Sequence, residues 1–186
     1  FRGARILPRR RGYLLEILYT KEVPEPDSTQ ERISAIDLGV TNLVTMVNNI
    51  GANPIVVKNG IIKAINQGFN KERRGLQRIY DQQGRKIGSK LRTIQRKRDR
   101  QITDYFHKTS RETINECLDL MIDTLIIGYN ALWKQNVNLG KRNNQTFVNI
   151  PFYKLIQQLQ YKAEEVGIRA IIVEEGYTSK CSFLDL

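Results

Sequence analysis

Ile33-Ser34-Ala35-Ile36-Asp37-Leu38-Gly39-Val40-Thr41-Asn42 is the stretch on which the reading of this chain turns. A short apolar run ends on a carboxylate, and Leu38 and the conformationally free Gly39 follow. An aspartate straight after such a strand is expected at a sheet edge, facing a cation, because an ionised carboxylate is costly to bury without a partner. A turn or capping aspartate is the plain alternative.

Working outward, Asn42 to Val47 and Ile55 to Lys58 are further short β-rich runs. Their tight spacing predicts an antiparallel meander, since a parallel crossover needs a dozen residues or more. Upstream, Val23-Pro24-Glu25-Pro26-Asp27-Ser28 reads as a linker held extended by its prolines. Before it, Tyr13 to Tyr19 reads as a strand entered from a basic arm carrying Arg2, Arg5, Arg9, Arg10 and Arg11.

Downstream the periodicity becomes helical. Ile61, Ile62, Ile65, Phe69, Leu76 and Ile79 are spaced for a helix that Gly68 and Gly75 weaken. Asp81-Gln82-Gln83-Gly84 is a turn candidate, and Ser89 is the expected cap of the next helix. Leu91, Ile94, Ile102, Tyr105 and Phe106 give that helix a stripe interrupted at Arg98, and a further segment carries Ile114, Cys117, Leu118 and Met121. Thr124 to Ile127 and Arg169 to Val173 read as strands. Between them Phe152, Leu155, Ile156, Leu159, Ala163 and Val166 form the clearest amphipathic helix.

These parts predict an α/β fold: a ribonuclease-H-like mixed sheet with a long basic helical insertion. The expected organisation is an N-terminal β-rich region (1–22), a linker (23–32) and three core strands (33–60). A basic insertion with the first core helix (61–122), a strand-helix-strand remainder (123–175) and the start of a further region (176–186) complete it.

Composition narrows the partners. The 186 residues carry a formal charge of +11 and a pI near 9.8. That excess points to a phosphate polymer; an anionic membrane surface is the weaker competitor, because no segment is long and apolar enough to span a bilayer. Cys117 and Cys181 are too few for a disulfide framework, so a reducing interior is expected: the cytoplasm of a prokaryotic cell, in association with the nucleoid. The chain opens on Phe1 without a signal-peptide pattern and reads as a fragment.

The basic excess is concentrated between residues 71 and 100, where twelve lysines and arginines face only Glu72, Asp81 and Asp99. Arg92, Arg96 and Arg100 are spaced four apart and predict one ridge, with Lys97 beside it. Phosphates along a duplex or structured RNA would neutralise that ridge and release counterions; a solvated basic face is the alternative. If Asp37 binds a divalent ion, other carboxylates must converge on it, as phosphodiester hydrolysis by paired ions requires. Asp37-Leu38-Gly39-Val40-Thr41 also fits the phosphate loop of actin-like and sugar-kinase ATPases, although the second lobe such proteins need is replaced here by basic helices. His107 has no partner at ligand spacing and reads as structural or phosphate-contacting.

Several blocks in order resemble the TnpB/OrfB family of transposon-encoded RNA-guided nucleases. They are Ile36 to Val47, Ser89-Lys90-Leu91, His107-Lys108-Thr109-Ser110, Asp123 to Gly128, Asn130, Trp133-Lys134-Gln135, Gly140 to Gln145, and Glu174 to Ser182. The resemblance implies a RuvC-like domain that cuts DNA with Mg2+ or another divalent cation, directed by a guide RNA, with DNA and RNA as partners and no membrane.

Asp37 carries over as the first acid. Most relatives have their glutamate where this chain has Gly128, but a branch with Gly128, Asn130 and the Trp133-Lys134-Gln135 element has paired glutamates further on. Glu174 or Glu175 is therefore the candidate second acid, with Glu175 placed ahead because it lies further past the strand, and Asp37 and Glu175 are the candidate metal ligands. If the two strands lie two places apart, their backbones are roughly 9–10 Å apart. Lys108, Lys134, Lys141, Arg142 and Lys180 join Arg92, Arg96, Lys97 and Arg100 as candidate nucleic-acid contacts. The family's zinc ribbon uses cysteine pairs, and Cys181 alone cannot complete four-ligand chemistry, so zinc is expected only in an intact member. Asp185 lies too close to the preceding block to be the third acid. Two functional classes stand: a guide-directed nuclease, and a nucleic-acid-binding remnant without cleavage.

Overall fold

The computed structural model describes residues 1–9, 12–25, 31–84, 86, 88–129 and 150–174. Its centre is a five-stranded mixed sheet in the order β5-β4-β3-β6-β7. β3 (Ile33–Asp37), β4 (Asn42–Asn48) and β5 (Ile55–Lys58) form the antiparallel meander that the short loops demand. β6 (Thr124–Tyr129) then joins β3 in parallel, and β7 (Arg169–Glu174) joins β6 in parallel. This is the ribonuclease-H-like arrangement, with helices α1 (Gly60–Gln82) and α2 (Ser89–Asp119) inserted between β5 and β6. Helix α3 (Phe152–Glu165) precedes β7.

Alternation along the strands builds the core. Ile36, Met46, Leu125 and Ile127 are all buried, and they meet Ile102, Phe106, Ile114 and Cys117 of α2 and Leu155, Ile156, Leu159 and Ala163 of α3 in one apolar cluster. Each buried Ile, Leu, Met or Phe among them contributes about 1.5–3 kcal/mol on leaving water. The start of β3 is tied to this helical layer by Arg32, whose guanidinium donates to Leu120 O at 3.1 and 2.8 Å and whose backbone N–H donates to Asp123 Oδ2 at 3.0 Å.

Several expectations need correction. The N-terminal basic arm is itself a strand: β1 (Gly3–Arg9) pairs antiparallel with β2 (Gly12–Leu18), and Arg5 and Arg9 both fall on one face of it, leaving Ala4, Ile6 and Pro8 on the other. Cross-strand pairs Ala4 with Ile17, Ile6 with Leu15 and Pro8 with Tyr13 give this ribbon one wholly apolar face. Gly68 and Gly75 do not interrupt α1, which runs 23 residues; packing outweighs their modest propensity penalty. The two segments read downstream of Ser89 are one helix of 31 residues.

Ser89 is not the cap. Gly88 holds the N-cap position, with no side-chain cap bond, and it lies so close to the Tyr80 ring that a Cβ there would displace the ring. The turn at Asp81 to Gly84 holds in its second half, where Gly84 takes φ +64° after the helix ends at Gln82.

Candidate active site and nucleic-acid interface

Asp37 is the last residue of β3, is exposed, and pairs across β4 with Thr45. Among the described residues nothing hydrogen-bonds or ion-pairs with its carboxylate. Ile36 is in register with Ile127, so Asp37 reaches the level of Gly128 one residue on, and Gly128 is in register with Val173. Residues aligned across parallel strands share a face, and neighbours along a strand alternate. Asp37, Gly128 and Val173 therefore line one face, whereas Glu174, in register with Tyr129, lies on the other. Glu175 lies outside the described residues, as do Trp133, Lys134, Lys141, Arg142, Lys180, Cys181 and Asp185.

The turn after Asp37 is tightly held. Leu38 is buried in the core, and a Cβ on Gly39 would sit 2.9 Å from Asn42 O, so only glycine fits without a shift. Asn59 closes the turn from the far end of β5: its Nδ2 donates to Val40 O at 3.0 Å and its backbone N–H to Thr41 O at 3.1 Å. No cluster of three or more His, Cys, Asp or Glu able to hold a metal occurs among the described residues. Among the described residues, the exposed Asp37 carboxylate could offer a cation one hard oxygen ligand.

The helical insertion carries the positive charge. Arg92, Arg96, Lys97 and Arg100 are exposed on α2, together with Lys71, Arg73, Arg74 and Arg78 on α1. Arg98 is different: its Nε donates to Asn66 Oδ1 at 2.7 Å, it pairs with Asp99 at 3.1 Å, and its guanidinium lies 5.4 Å from the Phe69 ring centre. It joins the two helices rather than serving the outer face. Arg96 and Arg100 line a shallow recess of about 460 Å³ with Asp99, Thr103, Asp104 and His107. Lys108 is exposed and paired to Asp104 at 2.8 Å, a hydrogen bond that raises its pKa.

His107 has its imidazole pKa lowered, first by burial and then by the positive charge of Lys162, against the pull of Asp104. Lys162 is a residue that sequence periodicity passed over. It is 4% exposed on the inner face of α3, where its Nζ donates to His107 O and to Ser110 Oγ, each at 2.7 Å. Burial and the nearby Arg111 lower its pKa; Glu165 opposes them. Asn59 was likewise missed. The available signals were a polar pair, Gln158 and Lys162, on an otherwise apolar helix face, and an asparagine at the junction of a strand and a helix.

Residues 16–134 match the OrfB_IS605 family, described as "Probable transposase". The chain belongs to that family. Residues 152–184 match a second family description, "Cas12f1-like, TNB domain". TnpB-like protein MJ0751 of Methanocaldococcus jannaschii is 26% identical over 175 residues, covering 88% of this chain and 60% of that protein. Among solved structures, a Cas12f1-sgRNA-target DNA complex superposes with TM-score 0.63 at 15% identity, covering 94% of this chain and 42% of the other. A CRISPR-Cas12f ternary complex gives TM-score 0.65 at 15% identity, covering 98% and 37%.

The chain thus spans 60% of the curated relative and about two fifths of each of these solved chains. These findings support the RuvC-like fold and the transposon-associated ancestry, and they replace the ATPase reading of the Asp37 turn. Among the described residues no helix is long and apolar enough to cross a membrane.

Proposed function

We propose that this OrfB_IS605 chain belongs to a guide-RNA-directed DNA endonuclease, binds nucleic-acid backbones along its basic helical hairpin, and cleaves phosphodiester bonds at a divalent-cation site that includes Asp37. The observation that carries the reading is the unpaired Asp37 carboxylate at the end of β3, beside the side-chain-free Gly128. The ridge of Arg92, Arg96 and Arg100 supplies the second support, since phosphates would relieve its self-repulsion. One complex of similar fold is described as containing Cas12f1, sgRNA and target DNA, which fits these partners.

Strand parity counts against Glu174 as the second acid, because it lies on the sheet face opposite Asp37. Glu175, the other glutamate of the pair and outside the described residues, is therefore the second acid of this reading. Gly128 leaves room for a longer carboxylate to reach across from the neighbouring strand. Asp37 and Glu175 would hold a divalent cation such as Mg2+, which when bound supplies water activation and stabilisation of the leaving oxygen. The protein's own contribution is to fix the carboxylates and to hold the backbone through cations that make no base-specific contact.

Magnesium-dependent cleavage by the purified protein with its bound RNA tests this directly. Asp37→Ala and Glu175→Ala are expected to abolish cleavage while leaving nucleic-acid affinity within about twofold, and Glu174→Ala to retain cleavage. Unchanged cleavage in Asp37→Ala would sink the assignment. The second reading, binding without cleavage, draws on Gly128 standing where most relatives have their glutamate; it predicts tight binding and no cleavage by the unsubstituted protein.

A further inference from the structure

We propose that Asn59 is a positioning residue for Asp37, holding the turn that follows it so that the carboxylate meets a cation in a fixed place. This rests on the cation-binding role of Asp37 proposed above. Asn59 occupies the N-cap position of α1, where an asparagine ordinarily turns its side-chain oxygen onto the helix's own first amides. Here it makes no cap bond. Its side-chain amide instead donates outward to Val40 O at 3.0 Å, and its backbone N–H donates to Thr41 O at 3.1 Å.

The side chain is fully buried, and its Oδ1, the atom that would have capped the helix, has no hydrogen-bond partner among the described residues. Rotating the amide to cap α1 would turn an oxygen toward Val40 O, so the orientation is set by the Asp37 turn and not by the helix.

The turn has little slack. Leu38 is fixed in the core, a side chain on Gly39 would press on Asn42 O, and Val40 and Thr41 are both tied to Asn59. Tyr105 Oη of α2 donates to Lys58 O at 3.3 Å, one residue before Asn59, which braces the clamp against the basic helix. A ligand carboxylate must be held to within about 0.5 Å of its productive position by the groups behind it. Removing a group hydrogen-bonded directly to a metal ligand typically weakens metal binding about 10–100-fold, and Asn59, acting through the turn, is expected at the low end of that range.

Mn2+ is the probe. Its binding to the protein is followed by paramagnetic broadening of assigned amide and side-chain signals, with thermal unfolding recorded on the same samples. Asp37→Ala is expected to abolish localised broadening near residue 37. Asn59→Ala is expected to weaken Mn2+ binding about tenfold, and Asn59→Ser, whose hydroxyl is one bond too short to reach Val40 O, to weaken it as much. If Asp37→Ala leaves Mn2+ binding unchanged, the cation site itself fails and this proposal with it. If Asp37→Ala abolishes binding while folded Asn59→Ala stays within twofold of wild type, Asn59 only stabilises the turn and the proposal alone is overturned.

Should the Asn59 variants not fold, a Mg2+ titration of the unsubstituted protein decides. The Asn59 side-chain amide signal is expected to move in step with Asp37, and a stationary Asn59 signal beside a shifting Asp37 overturns the proposal.

Discussion

Arg98 donates from Nε to Asn66 Oδ1 at 2.7 Å across the hairpin of α1 and α2, and its guanidinium covers the Phe69 ring. One arginine of a densely basic helix is therefore an internal strut, while Arg92, Arg96 and Arg100, on the same helix, face solvent. Arg98→Ala removes the partner of a buried amide oxygen and the stacking on Phe69. It is expected to destabilise the protein by about 1–3 kcal/mol in urea unfolding. Ala at Arg92, Arg96 or Arg100 is expected to leave stability within about 0.5 kcal/mol and to lower nucleic-acid affinity, reducing the slope of log K against log salt by roughly one for each phosphate no longer neutralised. Equal stability losses at all four positions would contradict this division.

Gly39→Ala forces a new methyl to within 2.9 Å of the Asn42 carbonyl oxygen, a backbone atom that cannot swing aside. The expected cost is about 1–3 kcal/mol, with the shift concentrated in residues 38–42 and visible in their amide chemical shifts. Gly68→Ala, in open space on α1, is expected instead to stabilise by about 0.5–1 kcal/mol.

Met121 adopts φ +52° just past the C-terminus of α2, where its N–H donates to Leu118 O at 2.9 Å and the next N–H, of Ile122, donates to Cys117 O at 2.8 Å. This is a helix terminator that glycine fills without a Cβ penalty. Since Met121 is 68% exposed, Met121→Gly forfeits little packing. It is expected to stabilise the protein by about 1 kcal/mol, read as a higher denaturant midpoint with unchanged slope.

Lys162 gives a pH dependence of definite sign. Its folded pKa lies below the ordinary value of 10.5, so the native state releases this proton before the unfolded chain does. Between the folded value and 10.5 the unfolded state binds more protons, and the contribution of this group to stability rises with pH through that window. Below the folded value the cost of burying the ammonium is present in full. Lys162→Met is expected to flatten the alkaline rise and to leave stability at pH 7 equal or higher, because Ser110 Oγ still has Phe106 O as an acceptor. An undiminished alkaline rise in Lys162→Met would assign it to another group.

Much of this architecture was legible because it is written in short-range patterns. Asp37 closing its strand, the meander through residue 58 and the stripe of α3 all follow from period and spacing, and the five-stranded sheet assembled from them is mixed as expected. What the residues alone concealed was settled across long distances. The pairing of β1 with β2 depended on arginines serving as strand residues, although a run of arginines reads first as an arm. Arg98 looked like a break in an apolar stripe because its acceptor, Asn66, lies 32 positions away. Asn59 went unread at a strand–helix junction because its acceptor is 19 positions upstream. The positions of Asp37 and Glu174 on opposite faces required the register of β6 and β7, which no count along one strand supplies.

The tie between Arg32 and Asp123 joins residues 91 positions apart. On the ribosome, the β3–β5 meander is therefore finished while the other edge of β3 still waits for β6. At about 5–20 residues per second, that edge stays open for on the order of 5–20 seconds, with its backbone donors and acceptors available to any passing strand. Pairing over such a separation also raises contact order and slows folding. Yield in a heterologous host should accordingly respond to synthesis rate and to strand-shielding chaperones more than to surface charge, with the basic hairpin acting as the spacer that sets the delay.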